Sequence, residues 1–469
     1  MAKAHEMDFT HGPLLKKMLL FALPIIGVNV LQLLFTAADV AVLGIFTNDN
    51  AVAAVGSTAQ ITNLMIGFFV GLSIGANVLV ARAAGARDET RARRLVGTSV
   101  IVSIVFGTII MIVGVIFAEQ FLIWTNCDEV VLPYAVKYLQ IYFIGMPIIM
   151  LYNFCAAILR AVGDTLRPLI FLAVSGVINV FLNIFFIVVV GLDVEGVAIA
   201  TVASRLVSAV CALVIMLRGN GYARLTKENL RIRKRELADI FVIGMPIGLS
   251  KCTFSIANVI IVSSINVLGA DVMAANAIVK EFDAFILEAL HGFTLASLAI
   301  ISQNLGAKNM ERIKKSIFVC VGWVLSIGVA LGLLFYVIAP ALCGIMTDTE
   351  AVLELCMVRV MVVGVPYVLC GMLNALQEGI RGLGYSNTAL GINLFANIGF
   401  RLLWVFAIYP SLYVEGEIMK NYTYVLMVFP ISWLVAVVLG IPILIYLYFK
   451  TKNKINIEIK KEELRDVKS

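Results

Sequence analysis

Charge is scarce in this sequence. Of 469 residues only 14% are Asp, Glu, Lys or Arg, while 61% are hydrophobic and the mean hydropathy is +0.99. A water-soluble chain of this length could not cover its surface with so few charges. Histidine is scarcer still, with three residues, two of them (His5 and His11) near the N-terminus. No HExxH pair is present, which argues against a zinc hydrolase, and no GxxxxGK[ST] loop is present to cradle the phosphates of ATP. No metal, cofactor or enzymatic reaction is therefore expected. The eight cysteines (127, 155, 211, 252, 320, 343, 356, 370) form no CxxC pair and lie mostly in apolar runs. They read as buried free thiols, not as disulfides or metal ligands. A cleavable signal is missing too: the first 13 residues are polar, and Pro13 suits a helix start.

Long apolar runs are what the chain does have. Twelve of them, each long enough to cross roughly 30 Å of hydrocarbon, fall near 15–45, 52–81, 95–118, 132–158, 168–191, 195–217, 237–268, 272–304, 315–343, 353–378, 387–409 and 422–449. Short alternating strands of a membrane barrel do not occur. The expected fold is an all-α polytopic membrane protein. Basic connectors alternate with acidic ones, and the loop 218–235 alone carries seven Lys or Arg. The positive-inside rule then places the N-terminus (1–13, with Lys3), the linker 219–235 and the basic tail 450–469 in the cytoplasm of a cell-membrane protein. Net charge of +6 is accounted for by topology, so no nucleic-acid partner is expected.

The chain repeats itself. Pro24 corresponds to Pro246, Gly85-Ala86-Arg87 to Gly306-Ala307-Lys308, Gly145-Met146-Pro147 to Gly364-Val365-Pro366, and Arg160 with Gly163 to Arg381 with Gly384, at offsets of 219–222 residues. Two six-helix lobes, 14–218 and 236–449, follow from this duplication. Because six is even, the lobes are expected to lie parallel, a plan typical of transporters.

Polar residues inside the runs carry the functional signal. In the first span Asn29, Gln32, Thr36 and Asp39 recur at steps of three, four and three, on one helix face. An acid in hydrocarbon is expensive to hold ionised, so it is expected to be neutral, paired or facing a water-filled cavity. Asp39 lies about 13 Å of helix from the exterior turn at Asn48. Span 5 holds Ser175, Asn179 and Asn183 at four-residue spacing, and span 11 holds Asn393, Asn397 and Arg401 at the same spacing. A stripe kept in both halves implies walls facing the same kind of interior space. Gly67, Gly71 and Gly75 in span 2 read as close helix packing, while Gln60 and Asn63 suit either interhelical contact or a cavity.

Span 7 aligns Lys251, Ser255 and Asn258 on one face. In span 8, Lys280 can reach Asp283 and Glu288 can reach His291 at i,i+3. These groups either neutralise one another or, with Glu281 leaving the helix net negative, line a cavity suited to a cation. Glu378 and Arg381 in span 10 are expected to form a structural or gating pair.

Taken with the segments LPIIG before Asp39, GANVLVARAAGARD and SQNLGAKNMERIKKS, the two six-helix halves resemble the multidrug and toxic compound extrusion (MATE) family over roughly residues 10–450. In that family a first-helix acid, similar to Asp39, works in one branch with an Asn and an Asp on the fifth helix. Asn179 matches the Asn, but Asn183 stands where that branch has the Asp. Another branch binds sodium through acids on the seventh and tenth helices, where Ser255 and Asn374 stand here. The resemblance implies an antiporter exporting amphipathic organic cations by alternating access. Asp39, Asn179 and Asn183 would couple transport to protons in preference to sodium. Asn29, Gln32, Thr36, Lys280, Glu281, Asp283, Glu288, His291, Asn397 and Arg401 would line the substrate cavity of a monomer. A lipid or lipid-linked saccharide flippase and a non-transporting receptor or scaffold are the competing readings.

Overall fold

In the computed structural model, residues 7–466 are described, and nearly all of them are helical. Lys3 and His5, and the last three residues of the basic tail (467–469), lie outside the described residues. The helices are α1 (Leu14–Phe46), α2 (Asp49–Gly85), α3 (Glu89–Trp124), α4 (Leu132–Ile144 and Met146–Ala161), α5 (Leu166–Val189) and α6 (Val194–Arg218). They continue with α7 (Lys234–Asn266), α8 (Ala270–Gly306), α9 (Met310–Met346), α10 (Glu350–Gly382), α11 (Ser386–Leu412) and α12 (Ile418–Lys461). Eleven are long and apolar enough to cross a membrane, and the two pieces of α4, bent by 51°, make a twelfth. Large apolar side chains point outward along them: Phe181 is 70% exposed, Val337 73% and Phe406 71%. Water would make such a surface an aggregation hazard, whereas acyl chains cover it without penalty.

Several helices outrun their apolar stretch. α2, α8 and α9 each have 37 residues, about 55 Å of helix, and their ends are closed by polar chemistry. Asp88 caps α3 by accepting from the Arg91 N–H at 2.8 Å, and Asn309 caps α9 by accepting from the Arg312 N–H at 3.0 Å. The turns leading into these caps are alike, with Arg87 at φ 57° and Lys308 at φ 55°. Gly163 (φ 90°) and Gly384 (φ 101°) end α4 and α10 in the left-handed region, where glycine alone is free of strain. The basic tail is not a separate segment. Past Pro442 no Gly or Pro interrupts it, and α-helix continues to Asp466.

Proline sets the breaks. Pro147 cannot donate to the carbonyl four residues back, and α4 kinks at Gly145 just before it. At the matching Gly364-Val365-Pro366, α10 contains a π-helical turn, Val360–Gly364. α5 ends in another, Phe185–Val189, and α11 contains two, Leu394–Gly399 and Trp404–Ile408.

By packing, the chain divides into two compact units. One comprises Met1–Phe9 and Leu23–Gly248, the other Thr10–Ala22 and Leu249–Ser469. These borders follow contacts and so differ from the repeat-based lobes: the linker and the first part of α7 pack within the first unit. The linker is no loose tether. Ala223 and Leu225 are buried, and Thr98 Oγ1 on α3 donates to the Arg231 carbonyl at 3.2 Å. Within the same unit α2 and α7 touch backbone to backbone. A Cβ on Gly71 would fall 2.2 Å from the Gly248 nitrogen, and one on Gly75 would fall 2.8 Å from the Gly244 Cα. The packing expected of Gly71 and Gly75 is realised against two glycines at the same four-residue spacing.

In the second unit, Arg312 donates to the carbonyls of His11 (2.7 Å) and Gly12 (2.8 Å), which ties the N-terminal segment to the start of α9.

Gly71→Val would drive a branched side chain into the α7 backbone, which cannot yield as a flexible side chain would. A loss of roughly 1–3 kcal/mol is expected, read as a lowered unfolding temperature of the detergent-purified protein. The control Gly56→Ala, which meets nothing within 4 Å, should leave that temperature unchanged.

Candidate functional site

Asp39 sits at the meeting of α1, α5 and α6. Asn183 Nδ2 on α5 donates to Asp39 Oδ1 at 2.5 Å, and Thr201 Oγ1 on α6 donates to Asp39 Oδ2 at 3.4 Å. Asn179 extends the chain of bonds: its Oδ1 lies 3.5 Å from Asn183 Nδ2, and its Nδ2 donates to Thr201 Oγ1 at 3.4 Å. The helical spacing of four places Asn179 and Asn183 one turn apart on the buried face of α5, where they are 4% and 0% exposed. Asp39 itself is half-buried. It borders a cavity of about 150 Å³ with Gln32 and Thr36 from its own helix, Asn63 from α2, and Asn179. The first-span stripe therefore faces one space, and Asn63 resolves as cavity lining. Asn29 is not part of that lining; its Nδ2 is buried without a hydrogen-bond partner.

Four contributors to this cavity carry no marked signal in the periodic pattern of the sequence. Thr201 looks like any Thr in an apolar run, and only the packing of α6 against α5 aims it at the carboxylate. Tyr138 and Tyr142 on α4 stack with centroids 6.1 Å apart to form an aromatic wall. Arg205 on α6 also lines the cavity, close enough for its charge to act on Asp39. It is the one charged residue between Glu195 and Arg218, and an ionisable group inside a span is itself a functional signal.

The second unit handles its acids differently. Asp283 on α8 is 2% exposed and pairs with Arg359 on α10, whose Nη2 donates to Asp283 Oδ2 at 2.9 Å while Nη1 donates to Asn276 Oδ1 at 2.8 Å. The guanidinium also lies over the Phe429 ring, 5.8 Å from its centroid. So Asp283 is not Lys280's partner, as helical spacing allowed, nor a free cavity acid: a cross-helix arginine takes it. Lys280 and Glu281 are exposed. Glu288 and His291 do come together, at 3.5 Å.

Arg401 is 2% exposed, held by Ser432 Oγ (3.1 Å) and Asn258 Oδ1 (3.0 Å) and sandwiched near the rings of Phe254 and Phe429. Asn397 is buried and donates to Asn393. Both belong to helix packing and are not part of the cavity around Asp39. Glu378 and Arg381 form the expected buried pair at 2.5 Å, with Gln377 Oε1 accepting from Arg381 Nη2 at 3.3 Å. Among the described residues no group of three His, Cys, Asp or Glu could hold a metal ion.

The protein-family model described as MatE matches residues 24–185 and 246–406. The chain belongs to the MATE family. It is 26% identical over 411 residues to the probable multidrug resistance protein YoeA of Bacillus subtilis, covering 86% of this chain and 88% of that one. It is 25% identical over 377 residues to the probable multidrug resistance protein NorM of Thermotoga maritima, covering 79% and 80%. Among solved structures, the Vibrio cholerae MATE transporter VcmN in its bent form superposes with a TM-score of 0.83 at 23% identity, over 95% of this chain and 98% of that one. An outward-facing MATE family transporter superposes at 0.85 with 20% identity, over 95% and 99%. Family membership makes this MATE protein a membrane transporter and not an enzyme.

Breaking the Asp283–Arg359 pair strands a charge in a dry interior. Arg359→Leu alone is expected to cost about 3–5 kcal/mol, whereas the double change Asp283→Leu with Arg359→Leu removes both charges and should recover most of that loss. Thermal unfolding of the three purified proteins measures the difference; equal losses in single and double variants would argue against the pairing.

Proposed function

We propose that this MATE protein is a secondary-active exporter of amphipathic organic cations, driven by protons that load onto Asp39. The observation that carries the reading is the hydrogen-bond shell of that carboxylate. Asn183 and Thr201 donate to it, which suits the ionised form. The buried Oδ1 of Asn183 has no partner. When Asp39 takes a proton it becomes a donor, and a half-turn of the Asn183 amide presents that idle oxygen as its acceptor. One amide thus serves both states of one acid. An Asp at position 183 would add a second charge, whereas Asn lets Asp39 carry the change alone. A single carboxylate with amides and a hydroxyl suffices for a proton, while a sodium site gains from additional anionic oxygens. This favours protons.

Alternating access by two parallel six-helix lobes, 14–218 and 236–449, belongs to the same proposal. The paired turns at Arg87 and Lys308, the paired caps at Asp88 and Asn309, and the paired glycines 163 and 384 support the duplication. Alternation of basic and acidic connectors supports cytoplasmic termini. Relatives named as multidrug resistance proteins support a broad substrate range. Function as a monomer completes the reading.

The test is efflux of ethidium from proteoliposomes under an imposed pH gradient, with a sodium gradient alone as the comparison. Asp39→Asn is expected to reduce pH-driven efflux at least tenfold, to the rate without a gradient. Undiminished export by that variant removes Asp39 from the mechanism; export driven by sodium alone overturns the proton reading.

A further inference from the structure

One charge in the Asp39 cavity is unused by proton coupling. Arg205 lines the same space as Asp39, Asn179 and Thr201. It is half-buried, and among the described residues its guanidinium joins no ion pair, with Asp39 or with any other acid. A guanidinium retained in a low-dielectric wall without a structural mate is costly, and its five donors remain available to whatever enters.

The charge balance defines what that is. With Asp39 ionised, Asp39 and Arg205 cancel and the cavity is neutral, the tyrosines contributing no charge. Asn183 adds none, standing on the face where a second carboxylate would have made the sum negative. A simple monocation entering this space would leave it with a net positive charge beside a fixed cation. A zwitterion leaves it neutral.

We infer that the cavity selects zwitterions, with a substrate ammonium facing Asp39 and a substrate carboxylate received by Arg205. The guanidinium fork matches a carboxylate with two parallel N–H···O bonds, a geometry that no amide in this wall duplicates. A volume of about 150 Å³ suits a charged head group of a few heavy atoms. The stacked Tyr138 and Tyr142, with Phe35 and Leu172, offer an aromatic and apolar surface to the rest of the molecule. Phe35 reaches that position because Gly176 has no side chain: a Cβ there would fall 1.7 Å from the ring. Arrival of a proton on Asp39 removes the partner of the ammonium and leaves the cavity positive, so proton and substrate amine compete for one carboxylate while Arg205 sets which amines qualify.

The inference rests on the export reading and narrows its substrate class from organic cations in general to those that also carry a carboxylate, with plain monocations such as ethidium exported more slowly. Its test uses two radiolabelled probes of one shape in pH-driven proteoliposome efflux: the betaine of N,N,N-trimethylphenylalanine, and the corresponding carboxamide, a permanent monocation. Ethidium serves as the third substrate. The wild type should export the betaine at least tenfold faster than the carboxamide. Arg205→Gln should abolish that preference by lowering betaine export to the carboxamide rate, and Arg205→Lys should keep part of it. Equal export of the two probes by wild type, or an unchanged ratio in Arg205→Gln, overturns the selectivity. Export of ethidium with neither probe moving overturns it as well and leaves proton-driven export standing. No gradient-driven movement of any of the three overturns both.

Discussion

A carboxylate placed in hydrocarbon must be given donors, a countercharge or water, because the surrounding medium offers none of them. Three acids of this protein, Asp39, Asp283 and Glu378, meet that constraint in two ways. Asp283 and Glu378 receive an arginine each, at 2.9 and 2.5 Å, and are thereby taken out of play. Asp39 receives amides, a hydroxyl and an arginine that does not touch it. Asp39 is held by neutral donors beside a cavity. The difference between a paired acid and a cavity-facing acid is therefore set by what each carboxylate touches.

The same constraint shapes the backbone. Helices must satisfy their own N–H and C=O groups at membrane depth, so departures from regular α-helix occur as kinks and π turns and never as open loops within the spans. α5 changes to π geometry two residues after Asn183, and the two π turns of α11 flank Arg401. Close approach of α2 and α7 comes at four glycines, where dispersion between backbones replaces the hydrophobic force that lipid cannot supply.

Much of the site was legible because it rests on single helices. Asn29, Gln32, Thr36 and Asp39 were placed on one face by period alone, and three of the four border the cavity. Asn179 with Asn183, Glu378 with Arg381, and Glu288 with His291 are contacts between residues three or four apart, which helix geometry dictates. Local pattern is silent where a partner sits on another helix. Helical spacing allows Lys280 to reach Asp283 on its own helix, but Arg359, on a different one, holds it. The stripe of span 11 suggests Arg401 as cavity lining, yet Ser432 and Asn258, from α12 and α7, hold it in packing. Arg205 was within reach of the sequence, as a lone charge in an apolar run; that it shares a cavity with Asp39 was not.

The sequence by itself determined the number of spans, the expected orientation of their ends, the faces that carry polar groups and the family. Apolar run length, charge alternation and helical period are local properties that survive without neighbours. Only the tertiary structure decided which acid is paired and which borders a cavity. That choice depends on the rotation and separation of helices far apart in the chain, to which no local pattern is sensitive. Asp39 and Asp283 are both single acids within apolar runs; an arginine in contact with one, and a cavity beside the other, separates their roles.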